Sequence, residues 1–139
     1  MLSLLAISVK DQAILQEFLA KAGKSLESFR YFQSRPLSVI DNHIATYLLK
    51  IGEQPVAYGH LDQEAGIIWL GIAVAEQYTG RGLGKLMMQT LLTDAKIQKV
   101  KSIRLSVDNS NQKAITLYKK MGFKLHTLKE KIQFLQLEL

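Results

Sequence analysis

The chain has 139 residues, enough for one domain with a sizeable core, and its 47% apolar and 22% charged residues are ordinary for a soluble globular protein. With no cysteine, disulfides, thiolate metal sites and cysteine nucleophiles are excluded, and a reducing cytoplasm is the simpler expectation for its location. The net charge of +6 is uneven: residues 1–80 carry six Lys/Arg against eight Asp/Glu, and residues 81–139 carry twelve against four, so the second half is the one suited to a polyanion.

The opening MLSLLAISVK is too short for a membrane span and has no basic leader, so Met1–Ser8 reads as a first strand. Lys10–Ala22 reads as a helix, with Ile14, Leu15, Phe18 and Leu19 at helical spacing and Gly23 as its stop. A second helix is predicted over Leu26–Gln33 and a loop over Ser34–Asn42. Three strands follow, His43–Ile51, Pro55–Leu61 and Ile67–Val74, joined by turns at Gly52-Glu53 and Asp62–Gly66 that make them antiparallel neighbours. Gly82–Ala95 is a helix with Leu83, Leu86, Met87, Thr90 and Leu91 on one face, and it crosses over to a strand at Ser102–Val107 that should run parallel to 67–74. Asn111–Met121 is a helix stopped by Gly122, and Phe123–Thr127 with Ile132–Leu137 forms a last hairpin. The order is β-α-α-β-β-β-α-β-α-β-β. With no repeat, linker or low-complexity tract, residues 1–139 read as a single domain.

Two segments carry chemistry. In Val74-Ala75-Glu76-Gln77-Tyr78-Thr79-Gly80-Arg81-Gly82-Leu83-Gly84-Lys85, a strand ends, a glycine-rich turn follows and a helix begins. Glycines let an anion approach the backbone, and the helix start presents unpaired N–H groups at the positive end of its dipole, which together make a pyrophosphate cradle. Gly80, Gly82 and Gly84 are too closely spaced for the dinucleotide fingerprint, and no Gly-Lys-Ser/Thr closes a P-loop. A plain glycine-rich turn is the competing reading. In the second segment, Ser110 or Asn111 can cap the helix, and Tyr118 lies two turns along on almost the same face. Its phenol can reach the helix's open end, or Tyr118 can be a core residue beside Ala114 and Met121; an amphipathic tyrosine satisfies both.

Together these segments resemble the GNAT acetyltransferase family. The first is similar to its coenzyme motif Gln/Arg-x-x-Gly-x-Gly/Ala, here Thr79-Gly80-Arg81-Gly82-Leu83-Gly84. The second is similar to its Asn-x-x-Ala-x-x-Leu-Tyr-x-x-x-Gly-Phe motif, here Asn111, Ala114, Leu117, Tyr118, Gly122 and Phe123. The element order is also the family's, so the resemblance covers the whole chain and implies the GNAT fold, an α/β (α+β) domain with a mixed central sheet flanked by helices. It implies an acetyl-CoA-dependent N-acetyltransferase, with no metal. The backbone of Ile72, Ala73 and Val74 would pair with the pantetheine arm and polarise the thioester carbonyl. N–H groups from Thr79, Gly80, Arg81, Gly82, Leu83, Gly84 and Lys85 would hold the pyrophosphate. Asn111 and Ala114 would line the coenzyme site, and Tyr118 would protonate the departing thiolate.

Two positions depart from the family pattern. Thr79 stands where Gln or Arg is usual, keeping a hydroxyl donor but losing length and charge. Counting back from the coenzyme motif, the glutamate base of lysine-acetylating relatives falls on Ile68, so that carboxylate is absent. Pairing of the central strands would bring His60 opposite Ile68 and Tyr58 opposite Tyr47 on one face, with His43 further along it. His60 is then the candidate base, or the group that orders a water acting as base, and Glu64 is the second candidate. A structural, hydrogen-bonded histidine is the competing reading, and a slip of one residue would turn His60 away.

The acceptor pocket is expected among Phe29, Arg30, Tyr31, Phe32, Arg35, His43, Tyr47, Tyr58, His60 and Trp69. Aromatics with arginines suit a small primary amine bearing a ring or phosphate, such as a nucleotide-linked amino sugar. A peptide or protein lysine or N-terminus is the alternative acceptor, and a non-catalytic acyl-CoA sensor the alternative of another class. Direct transfer in a ternary complex is expected, because no cysteine can carry the acetyl group. No nucleic-acid signature accompanies the basic charge and no membrane partner is expected; dimers are common among relatives, so a homodimer is an open expectation.

Overall fold

The computed structural model describes residues 1–139. Seven strands form one sheet: β1 (Leu2–Ala6), β2 (Ala45–Ile51), β3 (Gln54–Glu64), β4 (Ile67–Val74), β5 (Ser102–Asp108), β6 (Lys124–Lys129) and β7 (Ile132–Glu138), in the order β1-β2-β3-β4-β5-β7-β6. Three α-helices accompany it: α1 (Gln12–Lys21), α2 (Leu83–Ile97) and α3 (Gln112–Lys120). All neighbours are antiparallel except β4 and β5, which are parallel, as the crossover through α2 requires.

Each face of the sheet has its own core. On one, Leu15 and Phe18 of α1 pack with Ile7, Leu48, Tyr58 and Ala73. On the other, Met87, Met88, Leu91 and Ala95 of α2 pack on Leu49, Val56, Leu61, Ile103 and Leu105. Each fully buried Met or Leu contributes about 2 kcal/mol relative to exposure. The buried face of α2 is rotated from the expected one: Met88, Leu92 and Ala95 face inward, Leu86 is 36% exposed, and Thr90 turns its hydroxyl back to the Leu86 carbonyl.

The predicted helix Leu26–Gln33 does not form. In its place are short 3₁₀ turns at Gly23–Glu27 and Tyr31–Gln33, with another at Leu37–Asn42 inside the predicted loop. Aromatic anchoring explains the broken path: Phe29 and Phe32 each place their ring centroids 5.5 Å from Tyr58, and Tyr31 sits 4.3 Å from His60, which one regular helix face would not allow.

The registers also differ from expectation. A bulge between Leu49 and Lys50 shifts the β2–β3 ladder by one residue, so Tyr58 opposes Leu48 and Tyr47 opposes Gly59. Tyr47 therefore faces α2 and donates to Asp94 at 2.9 Å, on the side away from Tyr58. The β3–β4 turn is only Ala65-Gly66, both at positive φ, so Glu64 pairs with Ile67 and His60 with Gly71. Ile68 faces the α2 core, away from His60. Glycine at 71 is required by contact: a Cβ there would lie 2.6 Å from His60 Nε2.

Candidate active site

β4 and β5 pair at Trp69 and Arg104 and then diverge. Ala75 donates to Val56 on the β3 side, so by strand alternation Val74 and Ile72 turn their backbone groups toward the opening. The Ser25 hydroxyl, reaching the Val74 carbonyl from that side, agrees. The divergence leaves a cleft of about 960 Å³, at the upper end of ordinary ligand sites.

At one end lies the glycine-rich turn. Gly80 and Gly82 both have φ near +80°, a conformation glycine adopts without strain. Gly82 is the residue before α2, and Leu86 is the first to bond back, to the Gly82 carbonyl at 3.0 Å. The N–H groups of Leu83, Gly84 and Lys85 therefore have no helical acceptor and face an anion site. Gly80, Gly82, Leu83, Gly84, Lys85 and Thr79 all line the cleft. Two expectations need correcting here. Arg81 does not line it, because its guanidinium stacks over Tyr78 at 4.9 Å. The Thr79 hydroxyl is no free donor, since it is bonded to the Glu76 carbonyl at 2.9 Å.

α3 forms the facing wall. Asn111 caps it, accepting from the Ala114 N–H at 3.3 Å, and Ala114, Leu117 and Tyr118 line the cleft. The Tyr118 hydroxyl has no protein partner, while its ring packs 6.1 Å from Phe123. Tyr118 thus packs against the core and lines the cleft. Burial pushes its phenol up to about 12, so it stays protonated at any physiological pH.

Beyond Tyr118 the cleft reaches His60, Asp62, Trp69, Tyr31 and Phe134. His60 is 2% exposed, and burial, then His43 and Arg35, hold its pKa well below the usual histidine value. Its Nδ1 is 2.7 Å from the Tyr58 hydroxyl. Tyr58 is fully buried with no other partner for its proton, so it donates to Nδ1, and His60 carries its own proton on Nε2. Toward the cleft His60 is thus a neutral N–H donor. A direct base would need the other tautomer, so His60 is the buried, hydrogen-bonded histidine of the competing reading, with an Nε2–H left to orient a water. Glu64 is displaced as well: it pairs with Arg35 at 3.4 Å and opposes Ile67, roughly 17 Å along β4 from Ile72.

His43, Tyr31 and Asp62 form a chain of hydrogen bonds that the strand positions alone did not disclose. Tyr31 donates to Asp62 Oδ2 at 2.7 Å and so accepts from His43 Nε2 at 2.8 Å; His43 Nδ1 then accepts from the Thr46 hydroxyl at 2.9 Å. Burial lowers the His43 pKa too, keeping it neutral, and burial with the Asp62 bond raises that of Tyr31.

A pH effect on stability follows for His60. The unfolded chain takes up a proton near pH 6.5 that the folded protein refuses. Its contribution is complete above pH 6.5 and is lost as pH falls below that, by up to about 1.4 kcal/mol per pH unit until the folded group titrates. Urea midpoints at pH 7.5, 6 and 5 should fall in that order, and His60→Gln should flatten the slope; an unchanged slope would show that His60 accepts protons freely in the fold.

Comparison with known proteins agrees with this geometry. The model of the Acetyltransferase (GNAT) family matches residues 12–123. A spermine/spermidine N(1)-acetyltransferase of Bacillus subtilis (strain 168) is 39% identical over 67 residues, which cover 47% of this chain and 44% of that protein, so the chain aligns with under half of that relative's length. Among solved structures, the GNAT domain of S. lividans PAT superposes with a TM-score of 0.84 at 16% identity, over 98% of this chain and 89% of that one. A PaiA N-acetyltransferase from Thermoplasma acidophilum, solved in complex with coenzyme A, gives 0.80 at 16% identity over 100% and 99%. These two likenesses concern the fold. The splayed strands, the amide-rich turn, the Asn111-to-Phe123 motif around α3 and the family match over most of the chain lead to one assignment: this protein belongs to the GNAT acetyltransferase family.

Proposed function

We propose that the chain is an acetyl-CoA-dependent N-acetyltransferase that acts on a primary amine of a small molecule by direct transfer. The observation that carries this is the single cleft running from the free amides of Leu83–Lys85, past Tyr118, to the His60 and Asp62 end. The residues fit acetyl-CoA in chemistry as well as space. Lys85 and Lys113 line the phosphate end without an ion-pair partner, and the exposed backbone of Ile72 and Val74 suits an amide-bearing arm. Bound there, acetyl-CoA supplies an activated acyl group.

In this reading, Ile72–Val74 backbone amides hold the thioester carbonyl and stabilise the charge that develops on its oxygen. Tyr118 donates its O–H to the sulfur as the C–S bond breaks. The His60 Nε2–H orients a water that takes the proton released by the amine and passes it to solvent in the open cleft, from which the Tyr118 phenolate regains its own proton. No side chain that could carry the acetyl group has to intervene.

The Bacillus relative, named for acetylating spermine and spermidine, supports a small aliphatic amine as acceptor. A phosphate-bearing amino sugar loses its main support, since Arg30 pairs with Asp108 at 3.0 Å and Arg35 with Glu64. The test is CoA release from acetyl-CoA with a panel of polyamines, amino sugars, amino acids and lysine peptides. Turnover of a small amine supports the reading; turnover of peptides alone would replace the acceptor class. Tight acetyl-CoA binding with no turnover at all would make the domain a sensor.

A further inference from the structure

The cleft wall is charged at both ends, and most of those charges are paired within the protein. Arg30 is held by Asp108 and Arg35 by Glu64. Lys85 and Lys113 are left over at the end where phosphates would sit. At the other end one charged group remains. Asp62 is 6% exposed and lines the cleft, and no lysine, arginine or histidine nitrogen forms an ion pair with it. Every donor in the chain Thr46, His43, Tyr31 points toward its Oδ2, which polarises the network to stabilise a carboxylate. Its Oδ1 has no protein hydrogen bond. Asp62 thus presents an unpaired carboxylate oxygen to the cleft, with the nearest arginine, Arg35, stacked on Tyr31 and paired with Glu64, so it is the complement of a cation from outside the chain.

The reacting nitrogen cannot be that cation. It must be neutral to attack, and it must stand near Ile72–Val74 and Tyr118. Asp62 opposes Trp69, three residues back along β4 from Ile72, or about 10 Å. Taking off a charge-assisted contact of ~2.8 Å leaves roughly 7 Å between the two nitrogens of the acceptor. That is the span of about four or five methylene groups in an extended chain. The stretch between is walled by the rings of Trp69, Phe134 and Phe29, which suit methylenes, with the His60 imidazole over Gly71 as its one polar group.

We infer that Asp62 seats a second ammonium group of the acceptor, so that the protein selects α,ω-diamines or polyamines over monoamines, with Tyr31 as the positioning residue for that carboxylate. This rests on the acetyltransferase reading and specifies its acceptor.

The test compares 1,4-diaminobutane with n-butylamine, which differ only in the second amine. For the wild-type protein KM should be about 30-fold lower for the diamine, the size of one charge-assisted contact. Asp62→Asn, which still accepts from Tyr31, should bring the two within about 3-fold. A wild-type series of diamines from three to eight carbons needs no variant, and its KM should pass through a minimum near four or five carbons. Equal use of mono- and diamines by the wild type, preference retained in Asp62→Asn, or a KM that falls steadily with chain length would each overturn the role of Asp62 while leaving the enzyme reading intact. If no amine is turned over, the enzyme reading fails, and calorimetric binding of 1,4-diaminobutane to the CoA-loaded protein still decides. Binding that weakens about 30-fold in Asp62→Asn supports the site, and absent or unchanged binding overturns it.

Discussion

Tyr118→Phe should lower kcat about 100-fold and leave the KM for acetyl-CoA within about 2-fold, because one oxygen is removed from a ring that stays packed on Phe123. The phenol has no protein partner, so no structural hydrogen bond is lost and folding should be unaffected. Since burial holds the group at about 12, it does not ionise across the usual assay range. Any alkaline limb of the kcat profile below pH 10 must then belong to another group and should persist in the variant. Steady-state kinetics from pH 6 to 10 on both proteins would show this. A loss of less than 5-fold would reduce Tyr118 to a wall of the cleft, with water protonating the thiolate.

Gly82→Asp should weaken acetyl-CoA binding about 100-fold by calorimetry, with little change in thermal stability. Nothing lies within 4 Å of a Cβ at this position, and aspartate is among the residues that tolerate its left-handed backbone. The fold therefore has room for the side chain, but the carboxylate enters an anion site. Two like charges 4 Å apart repel by about 4 kcal/mol at an effective dielectric of 20, and half of that remaining after screening and rearrangement already gives more than a tenfold loss. A second phosphate farther off brings the total to about 2.7 kcal/mol, or about 100-fold. Gly82→Asn, of the same shape without the charge, should cost less than 5-fold, and added salt should narrow the gap between the variants. Equal losses for Asp and Asn would mean that the backbone conformation, and not the charge at this end of the cleft, limits binding.

The glycine-rich end of the cleft was legible in the sequence because its residues are local. Gly80, Gly82 and Gly84 lie within one turn, and Asn111 and Tyr118 within one helix, so spacing translates directly into geometry. The acceptor end was not, because it depends on registers between strands. The bulge between Leu49 and Lys50 falls opposite Pro55-Val56, with the proline as its one mark in the sequence, and it turns Tyr47 to the opposite face. Asp62 and Glu64 looked like turn residues because they are polar; both belong to β3, and they are polar because that strand runs on past the core as a wall of the cleft. The alternation that brings Tyr58, His60 and Asp62 to one face was present in the sequence, and a strand reading extended to Glu64 would have found Asp62. The segment 26–33 was misread for a different reason: its aromatic spacing looks helical, but its rings are fixed by Tyr58 and His60, residues distant in sequence.

The single bridge at Trp69 and Arg104 gives β4 an unusual status. It is fourth of seven in the sheet, yet beyond that bridge its β5 side has the chemistry of a border strand: the Ile72 groups and the Val74 N–H lack a strand partner, and the Val74 carbonyl is met by the Ser25 hydroxyl. Borders of that kind at the outside of a protein invite other chains to pair with them and lead to aggregation. Here the border is interior. β5 on one hand and the 3₁₀ turns carrying Ser25 and Tyr31 on the other enclose it in the cleft of about 960 Å³. The sheet thus keeps the adhesive property of an open edge for a small ligand while sheltering it from self-association, and filling the gap from β5 to complete the ladder would remove the cleft.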